Sequence, residues 1–269
     1  MRFPRKHGFS YLDAVAWTVL LALALVISVD LLRALAPRAA EHLAVAGAVQ
    51  VVLYAIASER LVRRPLGGAG AGRAALLGLR APESIAIVLA ALALGVLLHG
   101  PAGIVQALVE RVAPTPENEL LERVRRLRPE GAFDRAALVV LVVGLAPFVE
   151  ELFFRGALHA RLSESHRPVG VGVVIALCFT ANHLDPRIWP ALLLVALSLA
   201  VVRAKSRSIV PCFLLHASFN ATTLVVVLTS PDPVRAQAET PSWAAGGVAT
   251  LLVGALLGWI ARSQRGGSS

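Results

Sequence analysis

Charged residues and cysteines are both scarce in this chain. Charged side chains make up 16% of its 269 residues, whereas a soluble domain holds about 25%. The two cysteines, Cys178 and Cys212, lie in apolar segments, so they form neither a disulfide framework nor a C-x-x-C metal motif. These shortages argue against an ordinary soluble domain and exclude a small domain held together by disulfides.

Apolar residues are abundant instead, and they occur in long blocks. They account for 57% of the sequence, and the mean hydropathy is +0.70. Long apolar blocks, unlike alternating apolar and polar residues, are typical of helices that cross a membrane. The sequence therefore predicts an all-α, polytopic membrane protein.

About eight segments approach the roughly 20 apolar residues that a membrane-spanning helix needs. We predict about eight transmembrane helices around a polar cavity within the membrane. The predicted spans are residues 11–35, 43–62, 83–109, 136–158, 168–185, 189–204, 208–230 and 243–261. The fifth and sixth are short and are separated only by "LDPRIW", so they form a tight hairpin or tilt little.

The net charge of +9 is carried by basic loops. In a membrane protein such loops reflect topology and anionic lipids, so the predicted partner is the lipid bilayer and not nucleic acid. Both termini are predicted to be cytoplasmic. The basic residues on that side are Arg2, Arg5, Lys6, Arg60, Arg63, Arg64, Arg73, Arg80, Arg161, Arg167, Arg203, Lys205, Arg207, Arg262 and Arg265. The Arg-, Ala- and Leu-rich composition favours a bacterial source, and hence a bacterial inner membrane.

Three charges interrupt the fourth predicted span, in "LAPFVEELFFRG". A charged side chain at mid-membrane costs about 2.5–3.5 kcal/mol on insertion scales. Glu151 and Arg155 are four residues apart on one helical face, so they can neutralise each other. Glu150 lies about 100° around the helix. It needs another partner, a proton or a wet cavity.

Candidate partners for Glu150 lie in the fifth and seventh spans. His183 follows Phe179 by four residues, and Asn220 follows His216 by four. A carboxylate with a histidine can activate water, while a second histidine and an amide can bind an oxyanion. Alternatively, Glu150, His183 and His216 could hold a divalent metal such as zinc. The residues alone leave both chemistries open.

These residues resemble the motifs of the CAAX-type intramembrane proteases, also called the Abi or CPBP family. The motifs E-E-x-x-x-R, F-x-x-x-H and H-x-x-x-N occur in order here, and the resemblance covers residues 134–225. It implies that Glu150 is the catalytic base, with His183 assisting it. It also implies an oxyanion site at His216 and Asn220. Glu151 and Arg155 would support the site's architecture, with Phe179 lining the cavity.

The resemblance implies an endopeptidase that acts on a membrane-associated protein or peptide. The family is described both as metal-dependent and as glutamate proteases, and we favour the glutamate mechanism. Prenylated substrates are unexpected in a bacterium, so processing of a leader peptide or a C-terminal sorting signal is the predicted role. Alternatives are a transporter that uses Glu150 and the histidines as a proton relay, a noncatalytic scaffold, and a sortase-like protease. In the last, Cys212, four residues before His216, would be the nucleophile.

The chain is predicted to divide into four parts. Residues 1–112 form N-terminal transmembrane helices, and 134–230 form the catalytic core with the three motifs. Residues 231–269 form the last transmembrane helix and a short cytoplasmic tail. The connector, 113–133, carries leucine and valine at helical spacing, which predicts an amphipathic helix on the membrane surface, with a solvated connector as the alternative.

One feature of these boundaries conflicts with a shared cavity. Glu150 lies near the cytoplasmic end of the fourth predicted span, whereas His183 lies near the outer end of the fifth. Either the boundaries are shifted, or the fifth helix is tilted or ends within the membrane.

Overall fold

The regular structure of the described chain is helical. A computed structural model describes residues 8–40, 43–63, 72–82, 84–127, 129, 131–232 and 242–263. Within these ranges the predicted all-α fold is confirmed. The predicted cytoplasmic tail after residue 263 and the basic residues Arg2, Arg5, Lys6, Arg64 and Arg265 lie outside them.

Nine longer helices and two single-turn helices, Pro37–Ala40 and Arg73–Leu76, make up the described fold. The longer helices are α1 (Tyr11–Leu35), α2 (Leu43–Arg63), α3 (Ile85–Val112, interrupted at Leu98), α4 (Glu117–Leu127), α5 (Ala132–Ser163), α6 (Pro168–Ala181), α7 (Trp189–Ser206), α8 (Val210–Thr229) and α9 (Trp243–Arg262).

The number of helices able to cross a membrane is close to the prediction. Each of the eight predicted spans corresponds to one helix. Six described helices, α1, α3, α5, α7, α8 and α9, are long and apolar enough to span a bilayer. Helix α2 has 21 residues and packs against α1 and α5, and α6 is apolar but has only 14 residues. The chain is therefore an integral, multi-pass membrane protein, and the predicted count of about eight is approximate.

Local signals in the sequence account for several helix starts. Ser10 caps α1, because its hydroxyl accepts from the Asp13 amide at 3.2 Å while the Asp13 carboxylate accepts from the Ser10 amide at 2.7 Å. Pro168, Pro190 and Pro211 lie in the first turns of α6, α7 and α8. Proline is tolerated there because the first amides of a helix have no intrahelical acceptor.

The buried side chains form two apolar clusters with polar residues between them. One cluster, around Tyr54, Phe154 and Phe179, joins α1, α2, α5 and α6. The other, around Leu199 and Leu215, joins α3, α7, α8 and α9. Helix α5 contributes to the first cluster, and it faces α8 on its other side. The polar residues of α5 therefore point into the seam between the clusters.

The positions of α5 and α6 resolve the conflict between Glu150 and His183. Helix α5 continues to Ser163, five residues beyond the predicted end, and α6 begins at Pro168. Glu150 lies 13 residues before Ser163, and His183 lies 15 residues after Pro168, so both reach a similar depth. The 14 residues of α6 extend about 21 Å, less than the roughly 30 Å of a hydrocarbon core. The fifth apolar helix is therefore too short to span the core.

The connector between α3 and α5 contains the helix α4, and its position on the membrane surface stays a prediction. In α4, Val124 is buried, whereas Leu121 is half exposed, and the helix packs against α8. Ion pairs link it to the turn between α6 and α7. Arg123 contacts Asp185 at 3.2 Å, and Arg187 pairs with both Glu119 and Asp185. This end of the bundle lies opposite the α5–α6 connection.

Candidate active site

A buried ion pair joins Glu151 to Arg155. The two side chains are 0% and 1% exposed, and Oε1 of Glu151 lies 3.1 Å from Nη1 of Arg155. The same Oε1 lies 3.0 Å from Nδ1 of His216. Because a carboxylate oxygen accepts, Nδ1 of His216 carries the hydrogen and its Nε2 points elsewhere. Glu151 thus neutralises the arginine and also fixes the orientation of the imidazole.

Glu150 occupies a separate environment on the same helix. Its Oε1 accepts a hydrogen bond of 2.8 Å from Nε2 of Gln50 in α2. Its Oε2 is buried, has no hydrogen-bond partner in the described chain, and lies 3.9 Å from Nε2 of His216. Glu150 therefore has one anchored oxygen and one free oxygen, and the free oxygen faces an imidazole.

Phe179 explains the F-x-x-x-H spacing. Its backbone carbonyl accepts from Nδ1 of His183 at 2.9 Å, which leaves Nε2 of His183 as the free ring nitrogen. The Phe179 ring is fully buried, with the Arg155 guanidinium 4.3 Å from its centroid. The rings of His183 and His216 lie 4.9 and 5.5 Å away. One aromatic ring thus packs against three of the polar side chains.

Helix α5 is irregular on both sides of the two glutamates. The α-helical turn Ala146–Glu151 lies between two π-helical segments, Val140–Leu145 and Leu152–Leu158. π-Helical turns are rare and frequently occur at functional sites. They have more residues per turn than an α-helix, so they change which residues of α5 face α2 and α8.

Asn220 fills a gap in the first π-helical segment. The Ala146 amide donates to the Leu141 carbonyl, five residues back. In the same register residue 147 would donate to Val142, but Pro147 has no N–H. Nδ2 of Asn220 donates to the Val142 carbonyl instead, at 2.9 Å. Asn220 therefore anchors α8 to α5 with one amide hydrogen and keeps a second hydrogen.

Two site residues on α2 have no counterpart in the predicted motifs. Gln50 contacts Glu150, as described above. Tyr54, one turn later, accepts a hydrogen bond of 2.6 Å from Nδ2 of Asn182, next to His183. The sequence signal for these two site residues was a Gln and a Tyr four residues apart in an apolar span. Uncharged polar residues are common in such helices, so this spacing did not single them out.

The structure brings most of the predicted site residues together, while His183 and Asn220 lie at the edge of the group. Glu150, Glu151, Arg155, Phe179 and His216 form one connected chain of contacts, in which Glu150 is linked through His216. His183 contacts Phe179, whose ring also packs against His216. Asn220 lies one turn farther along α8, on Val142.

Cys212, the predicted alternative nucleophile, has its hydrogen bonds elsewhere than at the two glutamates. It is fully buried in the cluster of Leu199 and Leu215. Its thiol donates to the carbonyls of Leu199 and Ser208, at 3.7 and 3.8 Å. It has no contact with the His216 ring among the interactions of the described residues.

The alternative of a metal site requires that its ligands converge. Across the described ranges, no three His, Cys, Asp or Glu side chains converge as a metal-binding group. The predicted ligands Glu150, His183 and His216 do not form such a group in this arrangement of the described residues. His216 keeps Nε2 free beside the Nδ1 that is bound to Glu151, and Glu150 keeps Oε2 free beside the Oε1 that is bound to Gln50.

The fold and the site define a class of protein. It is a multi-pass helical membrane protein with a buried carboxylate–histidine centre. Residues 132–222 match the family model described as type II CAAX prenyl endopeptidase Rce1-like. The match confirms the predicted resemblance and supports an intramembrane endopeptidase in general. Comparisons with curated proteins and with solved structures gave no match.

Proposed function

We propose that this protein hydrolyses a peptide bond in a membrane-associated protein or peptide with water activated by Glu150. One observation carries the proposal: a buried carboxylate oxygen without a partner in the described chain faces a histidine nitrogen at 3.9 Å. A water molecule beside Oε2 can donate a hydrogen to it, and it then lies next to the nitrogen that is proposed below as an oxyanion donor. General-base catalysis needs this placement, with the base within hydrogen-bond reach of the proton that it removes.

In the proposed reaction the water oxygen attacks the scissile carbonyl carbon, and Glu150 Oε2 takes the water proton. The π electrons of the carbonyl move onto its oxygen. When the tetrahedral intermediate collapses, the C–N bond breaks and Glu150 returns the proton to the leaving nitrogen. His183, through its free Nε2, positions the water. The hydrogen bond from Gln50 keeps Oε1 of Glu150 fixed, so Oε2 alone turns toward the water.

His216 and Asn220 are the proposed donors to the oxyanion. A protonated His216 would donate from Nε2 while its Nδ1–H stays on Glu151. Asn220 would use the hydrogen that is not donated to Val142. Preorganised donors of this kind are worth about 10²–10³-fold in rate each. Glu151 and Arg155 act as positioning residues, because they hold the His216 ring and do not contact the reacting atoms.

The proposed substrate is a leader peptide or a C-terminal sorting signal in a bacterial inner membrane. Water and substrate would enter from the end that carries α4 and the α6–α7 turn. Helix α6 is too short to span the membrane, so the turn that follows it lies below the surface. Irregular backbone at membrane depth is tolerated where it lines a water-filled cavity.

The test is a comparison of membranes from cells that express the wild type or Glu150→Gln. Peptide termini in these membranes are identified by mass spectrometry. Gln keeps the oxygen that accepts from Gln50 and removes the base. Glu59→Gln, at an exposed carboxylate at the end of α2, is the matched control.

New termini should appear with the wild type and with Glu59→Gln, and be absent with Glu150→Gln. Cleavage that survives Glu150→Gln would overturn the mechanism. Each substrate found is then cleaved in vitro by purified protein with and without a chelator. Loss with the chelator and recovery with Zn²⁺ would replace the glutamate mechanism with a metal-dependent one.

A further inference from the structure

A cavity of about 280 Å³ lies at the end of the bundle opposite α4, between α5, α6 and α7. Arg80, Arg155, Arg203 and Arg207 line it, together with His159. No Asp or Glu belongs to the lining in the described part of the chain. A strongly basic cavity without an acidic wall is suited to an anion.

Arg203 is one of two buried arginines that line this cavity. It is 7% exposed, and its Nε donates to the Arg155 carbonyl at 2.7 Å. No carboxylate forms an ion pair with Arg203 anywhere in the described ranges. An uncompensated buried charge is strongly destabilising, so the arrangement calls for a counter-ion from outside the chain.

Arg155 supplies an independent observation. Its Nη1 is bound to Glu151, but its Nε is buried and has no hydrogen-bond partner among the described residues. The side chain is 1% exposed and lines the cavity. A buried donor that remains unsatisfied next to an unpaired guanidinium indicates a site for an acceptor.

Two exposed arginines stand at the mouth. Nε of Arg80 donates to the Arg207 carbonyl at 2.7 Å, which holds the loop before α3 against the end of α7. The mouth therefore lies at the bundle end where α7 finishes and α6 starts, a membrane face that the basic loops predict to be cytoplasmic. Basic pockets between transmembrane helices on this side suit lipid headgroups.

We propose that this cavity binds a phosphate group, supplied by the headgroup of an anionic phospholipid, as the counter-ion of Arg203. Guanidinium groups bind phosphate oxygens in a two-pronged geometry. The volume is near the lower end of small-molecule sites, which suits a headgroup better than a peptide chain. The site is separate from Glu150, and lipid binding there does not require peptide hydrolysis.

The test measures lipid retention by native mass spectrometry and the unfolding midpoint of the full-length protein in nanodiscs. Nanodiscs of dioleoylphosphatidylglycerol are compared with nanodiscs of dioleoylphosphatidylcholine, and inorganic phosphate is added to the latter. We expect the protein to retain phosphatidylglycerol. Its unfolding midpoint should be higher in phosphatidylglycerol than in phosphatidylcholine, with or without added phosphate. If inorganic phosphate gives the same stabilisation, the ligand is free phosphate and the lipid assignment is overturned.

Variants distinguish the cavity from general attraction to the surface. Arg80→Gln and Arg207→Gln should each weaken lipid retention roughly fivefold. Arg262→Gln, at an exposed arginine of α9, should leave it unchanged. An equal loss with Arg262→Gln, or equal midpoints in the two lipids, would overturn the proposal.

A built-in counter-ion tests the cavity without removing any arginine. Ala204 is exposed and lines the cavity, so Ala204→Glu introduces a carboxylate near Arg203. This variant should unfold at a higher midpoint than the wild type in phosphatidylcholine and should no longer respond to phosphatidylglycerol. Ala74→Glu, at an exposed alanine of the Arg73–Leu76 helix, is the control and should keep the lipid response. A full lipid response in Ala204→Glu would refute the site.

Discussion

Replacing Asn220 with alanine removes the hydrogen bond of 2.9 Å from Nδ2 to the Val142 carbonyl. A buried acceptor left without a donor costs about 1–3 kcal/mol, but interhelical hydrogen bonds in membranes average about 0.6 kcal/mol. We therefore expect a loss of about 1 kcal/mol in stability. If Asn220 also binds the oxyanion, cleavage should fall about 10²–10³-fold in addition.

A second substitution separates the two roles of Asn220. Pro147→Ala introduces the amide hydrogen that Pro147 lacks, and in the register set by Ala146 this amide points at Val142. The double variant Asn220→Ala/Pro147→Ala should recover most of the lost stability. It should not recover cleavage, because the new amide cannot reach the substrate.

The assay is a double-mutant cycle of unfolding in mixed detergent micelles, with cleavage of an identified substrate measured in parallel. Pro190→Ala is the matched control, because Pro190 lies in the first turn of α7, where a backbone amide has no intrahelical acceptor. Its effect on stability should add to that of Asn220→Ala. If the stability effects of Pro147→Ala and Asn220→Ala are also additive, the new amide does not replace Asn220 as the donor to the Val142 carbonyl. Full cleavage by the double variant would refute the oxyanion role of Asn220.

Three further predictions follow from neighbouring contacts. Gln50→Leu should lower kcat by releasing Oε1 of Glu150, and unchanged kcat would show that this hydrogen bond does not hold the base. Burial raises the pKa of Asp185, but hydrogen bonds and charge from Arg187 outweigh it and hold this pKa below its usual range. The stability from Asp185 should thus be complete above about pH 4 and be lost as pH falls through the lowered pKa. Asp185→Asn should remove that part of the acid sensitivity, measured by unfolding against pH. Cys212→Ala should keep full cleavage, whereas selective loss would make the thiol the nucleophile.

The sequence predicted which charged residues share a site, because charges in apolar spans are expensive and therefore rare. Glu150, Glu151 and Arg155 stood out for that reason, and the spacing of four residues predicted the ion pair that the structure contains. His216 was predicted to approach Glu150, and its Nε2 lies 3.9 Å from Oε2. These predictions needed only helical periodicity and the cost of charge in hydrocarbon.

The geometry inside α5 could not be predicted in the same way. A continuous apolar run such as "LVVLVVGL" has no polar residue to mark its period, so a π-helical turn and an α-helical turn have the same pattern. The role of Asn220 depends on that register and on Pro147. Gln50 was missed for a related reason, because an amide costs less in a membrane helix than a charge and belongs to none of the motifs.

The two adjacent glutamates have different partners, which fits the different roles proposed for them. Glu151 accepts at Oε1 from both Arg155 and His216, so its charge is held by two cationic or donor groups and it has little freedom to move. Glu150 has a neutral donor, Gln50, on one oxygen and none in the described chain on the other. A base must keep an accessible oxygen and a positioning residue must not. In the proposed mechanism, giving Glu150 the partners that Glu151 has would therefore remove the accessible oxygen of the base without changing the composition of the site.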